Sequence, residues 1–252
     1  MARHAVEPAP VLPPGASPVF RAHYPSIKST QPFLIVRQFQ LLVFDWDGTL
    51  ADSAALIVDS IRNACEDLHL PVPPERDCRY VIGLGLQDSM RHLLPSLAET
   101  DYPPFLEQFR HHFLQRDHET PLFLGMENLL SELESHGHWL AVATGKSRVG
   151  LQRSLEQTGI GKRFHITRCA DESHPKPNPA MLFEVMNSLG IGNENTLMIG
   201  DTSHDLLMAK NADVAAVAVS YGAHESDELR ALNPLACVES VADLRTWLMQ
   251  NA

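Results

Sequence analysis

Leu41-Leu42-Val43-Phe44-Asp45-Trp46-Asp47-Gly48-Thr49-Leu50 is the stretch that decides the fold. Four consecutive apolar residues read as a short strand buried on both faces, as in a parallel sheet. The run stops at two carboxylates spaced i, i+2, followed by Gly and Thr. Asp45 and Asp47 therefore fall at the carboxyl end of the strand, the edge at which open α/β sheets bind ligands. Adjacent buried acids are costly unless a cation or a proton compensates them. A divalent metal is the simplest compensation, and hard carboxylate oxygens suit Mg²⁺. Alone, the same residues also fit a strand ending in a polar turn, because Asp-Gly is a common turn dipeptide.

Beyond residue 122 helix and strand patterns alternate. Helices are predicted over 125–135, 147–157, 178–189, 205–211 and from about 241, with strands over 139–143, 166–170, 196–199, 214–219 and 236–238. Gly159 and Gly190 stop two of these helices, Asn178-Pro179 reads as an N-cap and first-turn pair, and Ser240 with Asp243 as an N-cap and its partner. This alternation predicts an α/β fold, a doubly wound parallel sheet of Rossmann-like type. Between the first and second strands lie nearly a hundred residues, where a dozen or more suffice for a crossover. The excess is helical in pattern: 54–70, closed by Pro71, Pro73 and Pro74, then 87–98 and 103–116. Residues 54–121 are thus expected to form a helical cap inserted above the carboxyl edge, with the core spanning 38–53 and 122–252. Residues 1–37, interrupted by seven prolines from Pro8 to Pro32, read as a flexible tail.

A formal net charge of -11 argues against a nucleic-acid surface. No apolar run approaches the roughly 18 residues that span a bilayer. The opening MARHAVEPAP lacks the apolar segment of a secretory signal. Cys65, Cys78, Cys169 and Cys237 have no metal or disulfide spacing and read as free thiols. A cytoplasmic protein, monomer or homodimer, without nucleic-acid or membrane partners is the expectation.

Four strand ends or adjoining loops carry chemistry-bearing residues: Asp45 and Asp47, then Thr144-Gly145, then Lys176 between two prolines, then Gly200-Asp201 with Asp205. In a parallel sheet these ends face one way, so the residues can converge. In this order the chain resembles the haloacid dehalogenase superfamily of phosphohydrolases over about 39–252. D-x-D-G-T at 45–49 is similar to the first motif, Thr144 to the second, Lys176 to the third, and Gly200-Asp201 with Asp205 to the fourth. The stretches Val81 to Leu86 and Ala143 to Ser147 most resemble the phosphoglycolate phosphatase branch.

The resemblance implies a Mg²⁺-dependent phosphatase acting on a small phosphorylated metabolite. Asp45 would be the nucleophile that forms an aspartyl-phosphate. Asp47 would protonate the leaving oxygen and then activate water. The metal would be held by the Asp45 carboxylate, the Asp47 backbone carbonyl and Asp201, with Asp205 supporting. Thr144 and Gly145 would bind the phosphoryl group, and Lys176 would neutralise charge on both nucleophile and phosphate. The dehalogenases of the superfamily lack an acid at the position of Asp47, so its presence favours phosphoryl chemistry. The phosphonate-cleaving relatives need a cap lysine, and residues 54–121 contain none. A phosphosugar mutase and a catalytically silent interaction protein are the alternative readings.

Some residues stay open or take a structural reading. Lys146 either touches substrate or merely begins a helix. Trp46 is expected in the core, His204 at the solvent edge. Gly83 to Gln87 is the expected substrate loop of the cap. Arg79 and Arg91 flank it and either meet a carboxylate on the substrate or are plain surface arginines, and Arg110, His111, His112 and Arg116 form a solvated face.

Overall fold

The structure is a computed structural model that describes residues 38–252; the expected tail at 1–37 lies outside them. Six parallel strands form one sheet: β1 (Leu41–Phe44), β2 (Trp139–Thr144), β3 (Ile166–Cys169), β4 (Thr196–Gly200), β5 (Ala215–Val219) and β6 (Ala236–Val238), in the order β3-β2-β1-β4-β5-β6. The chain winds outward from β1 to β3, returns to β4, and winds outward again. The reversal leaves β1 between β2 and β4, with Phe44 in register with Val142 and Ile199. Ligands of such sheets bind at this switch point.

Alternation along the buried strands sends side chains to two apolar layers. Leu42, Phe44, Leu140, Val142, Leu197 and Ile199 pack on one face with α5 (Met126–Ser135), α6 (Arg148–Thr158) and α10 (Val241–Asn251). Leu41, Val43, Ala141, Ala143 and Met198 pack on the other with α7 (Ala180–Leu189) and α8 (Ser203–Asn211). Trp46 is buried in the first layer, as expected.

Between β1 and β2 the chain forms α1 (Ala54–Asp67), α2 (Glu75–Tyr80), α3 (Leu86–Leu93) and α4 (Tyr102–Arg116). These helices bury an apolar cluster of their own, including Val58, Ile61, Cys65, Met90, Leu93 and Phe105. The insertion leaves and re-enters the sheet layer at one place. Asp52 N–H donates to the Pro121 carbonyl at 3.0 Å, Phe123 N–H to the Leu50 carbonyl at 3.0 Å, and Ala51 bridges Leu122 antiparallel.

Several local expectations need correction. α1 ends at Asp67, before the three prolines, and His69 turns the chain at φ 55°. α3 stops at Leu93, and the short helices α2 and α9 (Ser226–Arg230) lack enough length to show a period. The N-cap of α7 is Pro179 rather than Asn178; Asn178 Oδ1 accepts from Ala180 N–H at 3.0 Å, so the side chain serves the helix from one residue further out. The basic face of α4 is partly spent on α1: His112 pairs with Asp67 at 2.7 Å and Arg116 with Asp59 at 3.2 Å. Gly159, Gly190 and the Ser240–Asp243 cap behave as read.

Candidate active site

Asp45 follows directly on β1, and its backbone N–H donates to the Ile199 carbonyl of β4 at 3.0 Å. The pairing continues the strand geometry past Phe44 and fixes where the carboxylate starts. Asp45 Oδ1 accepts from Trp46 N–H at 2.6 Å and lies 2.8 Å from Lys176 Nζ. Asp45 Oδ2 is buried with no hydrogen-bond partner. Burial pushes this carboxyl up to about 7; Asp205 and Asp47 add to the rise, and Lys176 opposes it.

Lys176 is fully buried. Its ammonium lies 2.8 Å from Asp45 Oδ1 and 2.6 Å from Asp205 Oδ1. Burial alone pulls the ammonium down, but Asp205 and Asp45 outweigh it and hold Lys176 above the ordinary lysine range. Asp205 Oδ2 accepts from Thr202 N–H at 3.1 Å and from the Thr202 hydroxyl at 2.7 Å, while Thr202 Oγ1 caps Asp205 N–H. This capping box starts α8 and orients Asp205 toward Lys176.

Asp201, just past β4, accepts from the Thr49 hydroxyl at 2.7 Å and from Ala223 N–H at 2.8 Å. Burial and the neighbouring Asp205 and Asp45 raise its carboxyl well above the usual range. Gly48 makes this approach possible. Its φ is +81°, and a Cβ there would stand 2.1 Å from Asp201 Oδ2. Thus the Gly of the opening motif is needed by an acid more than 150 residues away.

Asp47 points elsewhere. Its Oδ1 accepts from the Ser53 hydroxyl at 2.7 Å, and Lys146 Nζ lies 2.9 Å from Oδ1 and 3.2 Å from Oδ2. Ser53 occupies the N-cap position of α1, yet its hydroxyl caps nothing there. An N-cap contact is worth about 1 kcal/mol, and here it is given up for the carboxylate.

Thr144 is buried at the end of β2, its hydroxyl accepting from Lys146 N–H at 3.2 Å. Gly145 presses on the insertion: a Cβ there would meet the Gly83 carbonyl oxygen at 2.7 Å. A Cβ on Gly83 would lie 3.7 Å from Asp45 Oδ2. The expected substrate loop therefore reaches the acidic cluster through Gly83. Arg79 and Arg91 do not join it; they pair with Glu75 and with Asp88 and Glu99. His204 is a correction, because it is buried rather than at the solvent edge. Its Nε2 lies 2.7 Å from the Tyr80 carbonyl of α2, and His224 Nε2 lies 3.2 Å from the same oxygen. Burial lowers both imidazoles, His204 to about 4. As neutral rings their Nε2–H groups tie the insertion to the sheet layer.

Asp45, Asp201 and Asp205 each offer one oxygen within 4.8 Å of the others. Around them, four acids (Asp45, Asp47, Asp201, Asp205) face two ammoniums (Lys146, Lys176), leaving two negative charges uncompensated when all are ionised. One divalent cation balances that sum, and all-oxygen donors suit a hard ion. The bare Oδ2 of Asp45 is open to a cation or to an incoming electrophile. Thiol chemistry has no place here: burial pushes Cys65 and Cys78 to about 11 and Cys169 to about 12, leaving inert thiols.

A parallel sheet with a helical insertion after β1 and acids gathered at its switch point defines a class. The family model for "Haloacid dehalogenase-like hydrolase" matches residues 42–219, and the chain belongs to this family. It is a hydrolase of the phosphatase kind. Among its relatives, "Probable phosphatase IndB" of Dickeya dadantii is 36% identical, the match covering 81% of this chain and 91% of that protein. "Pyrophosphatase PpaX" of Halalkalibacterium halodurans and "Phosphoglycolate phosphatase" of Vibrio parahaemolyticus are each 30% identical, covering 82% of this chain and 95% of theirs. The solved structure titled a "predicted phosphatase from Clostridium acetobutylicum" superposes with a TM-score of 0.75 at 26% identity, over 84% of this chain and 99% of that one.

Proposed function

We propose that this protein is a Mg²⁺-dependent phosphatase hydrolysing a small phosphorylated metabolite, a phosphoglycolate-like monoester, through an aspartyl-phosphate on Asp45. The observation that carries the reading is the state of Asp45. One oxygen is fixed by Trp46 N–H and Lys176, and the other is buried without a partner. A carboxylate oriented in this way is prepared to attack phosphorus.

In this reading Mg²⁺ is held by the Asp45 and Asp201 carboxylates and the Asp47 backbone carbonyl, with Asp205 completing the cluster. When bound, it offsets phosphate charge. Lys176 adds positive charge beside nucleophile and phosphate, and the Thr144 hydroxyl and Gly145 N–H donate to the phosphoryl oxygens. Asp47 gives its proton to the leaving oxygen as the Asp45–phosphorus bond forms. It then takes a proton from the water that cleaves the acyl phosphate. Residues 54–121 act as a cap whose Gly83 loop closes over the nucleophile and excludes water. Relatives named for phosphoglycolate and for pyrophosphate support a small anionic substrate. The free cysteines support a reducing, cytoplasmic setting; among the described residues no helix is long and apolar enough to cross a membrane.

The test is a panel of phosphorylated metabolites, including phosphoglycolate and pyrophosphate, with and without Mg²⁺, read as released phosphate. Release on small monoesters only with metal is expected. Isomerised sugar phosphate without release would replace the reading by a mutase, and no turnover by a silent protein.

A further inference from the structure

Lys146 has no part in the mechanism above, yet it is fixed from several sides. Its ammonium bridges both oxygens of Asp47, and the two side chains are only 9% and 10% exposed. Across from the carboxylate, the same ammonium sits 5.0 Å from the centroid of the Phe113 ring on α4. Its backbone is tied down as well: Lys146 N–H donates to Thr144 Oγ1 at 3.2 Å, and its carbonyl accepts from Ala170 N–H at 3.1 Å. A lysine normally keeps its rotamer freedom and a full hydration shell. Giving up both at the edge of an acidic cluster is compensated by the contacts it makes. A cation over an aromatic face gains from the ring quadrupole, more so when water is excluded.

Three elements meet at this ammonium: the loop after β2, the acid after β1, and α4 of the insertion. We propose that Lys146 is a positioning residue for Asp47. The ion pair is that of the carboxylate, the form left once the proton has passed to the leaving oxygen; Lys146 fixes the orientation of that group, and Phe113 completes the grip when the insertion lies over the site. The proposal rests on the reading of Asp47 as the proton donor. Lys146 itself moves no proton. Asp47 loses its proton to the leaving oxygen, the bond from phosphorus to that oxygen breaks, and the Asp45–phosphorus bond forms.

A leaving group that departs unaided needs no donor, so the donor's placement matters only for a poor one. The experiment compares kcat/KM on 4-nitrophenyl phosphate and on glycerol phosphate for the wild type, Lys146→Met, Lys146→Arg and Asp47→Asn, all in Mg²⁺. This parameter covers the steps through formation of the aspartyl-phosphate. Lys146→Met keeps an unbranched side chain against Phe113 and removes the charge. It is expected to lose about tenfold to a hundredfold on glycerol phosphate and under about threefold on the nitrophenyl ester, the range a displaced acid catalyst gives. Lys146→Arg should recover most of the loss. Equal losses on both esters, which mere structural damage would give, overturn the proposal. If Asp47→Asn is selective and Lys146→Met is not, the Lys146 assignment falls alone. If Asp47→Asn is itself unselective, the proton-donor reading falls and takes the Lys146 assignment with it.

Discussion

Replacing Gly145 by Ala tests how the helical insertion meets the sheet. Gly145 is not among the glycines with positive φ, so alanine can adopt its backbone. The peptide N–H is also kept, and with it any donor to a phosphoryl oxygen. What changes is one methyl group. It would stand 2.7 Å from the Gly83 carbonyl oxygen, 2.8 Å from its carbon and 3.0 Å from its Cα, where ordinary contact begins at 3.4 Å. All three are backbone atoms, so no side chain can swing aside, and the Gly83 loop must retreat by about 0.7 Å. That loop faces Asp45 Oδ2 and Thr202. Displacements of about 1 Å near a reacting centre cost on the order of a hundredfold. We expect kcat/KM for the best substrate of the panel to fall by about tenfold to a hundredfold. The melting temperature should move little, because the two surfaces can part without opening either core. Steady-state kinetics and thermal melting decide it. Wild-type kcat/KM in a soluble, folded Gly145→Ala protein would refute the claim that this contact sets the closed geometry.

Asp45→Asn should reduce phosphate release to background while the metal-free protein melts no lower than wild type, because the carboxyl it replaces is held up at about 7 by burial; residual turnover near wild type would remove Asp45 as nucleophile. Lys176→Met should abolish activity and cost about 3–5 kcal/mol, as breaking a buried ion pair does, since Asp45 and Asp205 lose their shared cation; denaturant unfolding measures it, and an unchanged midpoint contradicts it. The melting-temperature gain from Mg²⁺ should grow from pH 5 to pH 8. Asp45 and Asp201 have folded values raised above 3.8, so without metal their contribution to stability is lost as pH rises from there through about 7 for Asp45, and a bound cation removes the loss. His204 and His224, lowered by burial, act with the opposite sign, but cancel in the difference between the two melts; a gain that shrinks with pH would refute the assignment. Deleting residues 1–36 should leave kcat within about twofold, the scatter of a neutral surface change, and a larger fall would tie that segment to the site.

The opening decapeptide was enough for the strand, the acids and their place at the sheet edge, because each depends on local order. The apolar run needs burial on both faces, and the positive φ of Gly48 belongs to the turn, whereas the room it leaves for Asp201 has no local sign. Lys176 and Asp201 were legible from their order along alternating strands, since a parallel sheet brings such ends together. Lys146 was not, because its meaning depends on Asp47, 99 residues earlier, and on a ring from α4. The burial of His204 is hidden from the sequence for a related reason: the Tyr80 carbonyl that it meets is 124 residues away. Nor does a backbone carbonyl leave any mark in the sequence. Ser53 sits where a helix cap belongs and does something else, a substitution of roles that composition cannot reveal.

The paired entry and exit at Ala51 and Leu122 has an architectural consequence. Both ends of the insertion pass through a single doorway one strand spacing wide, about 5 Å. Any segment whose ends meet that gap can be grafted there without altering the register of the sheet or the acids at its edge. The sheet with its acids and the helical insertion are therefore joined so that one can change in length or sequence without shifting the register of the other.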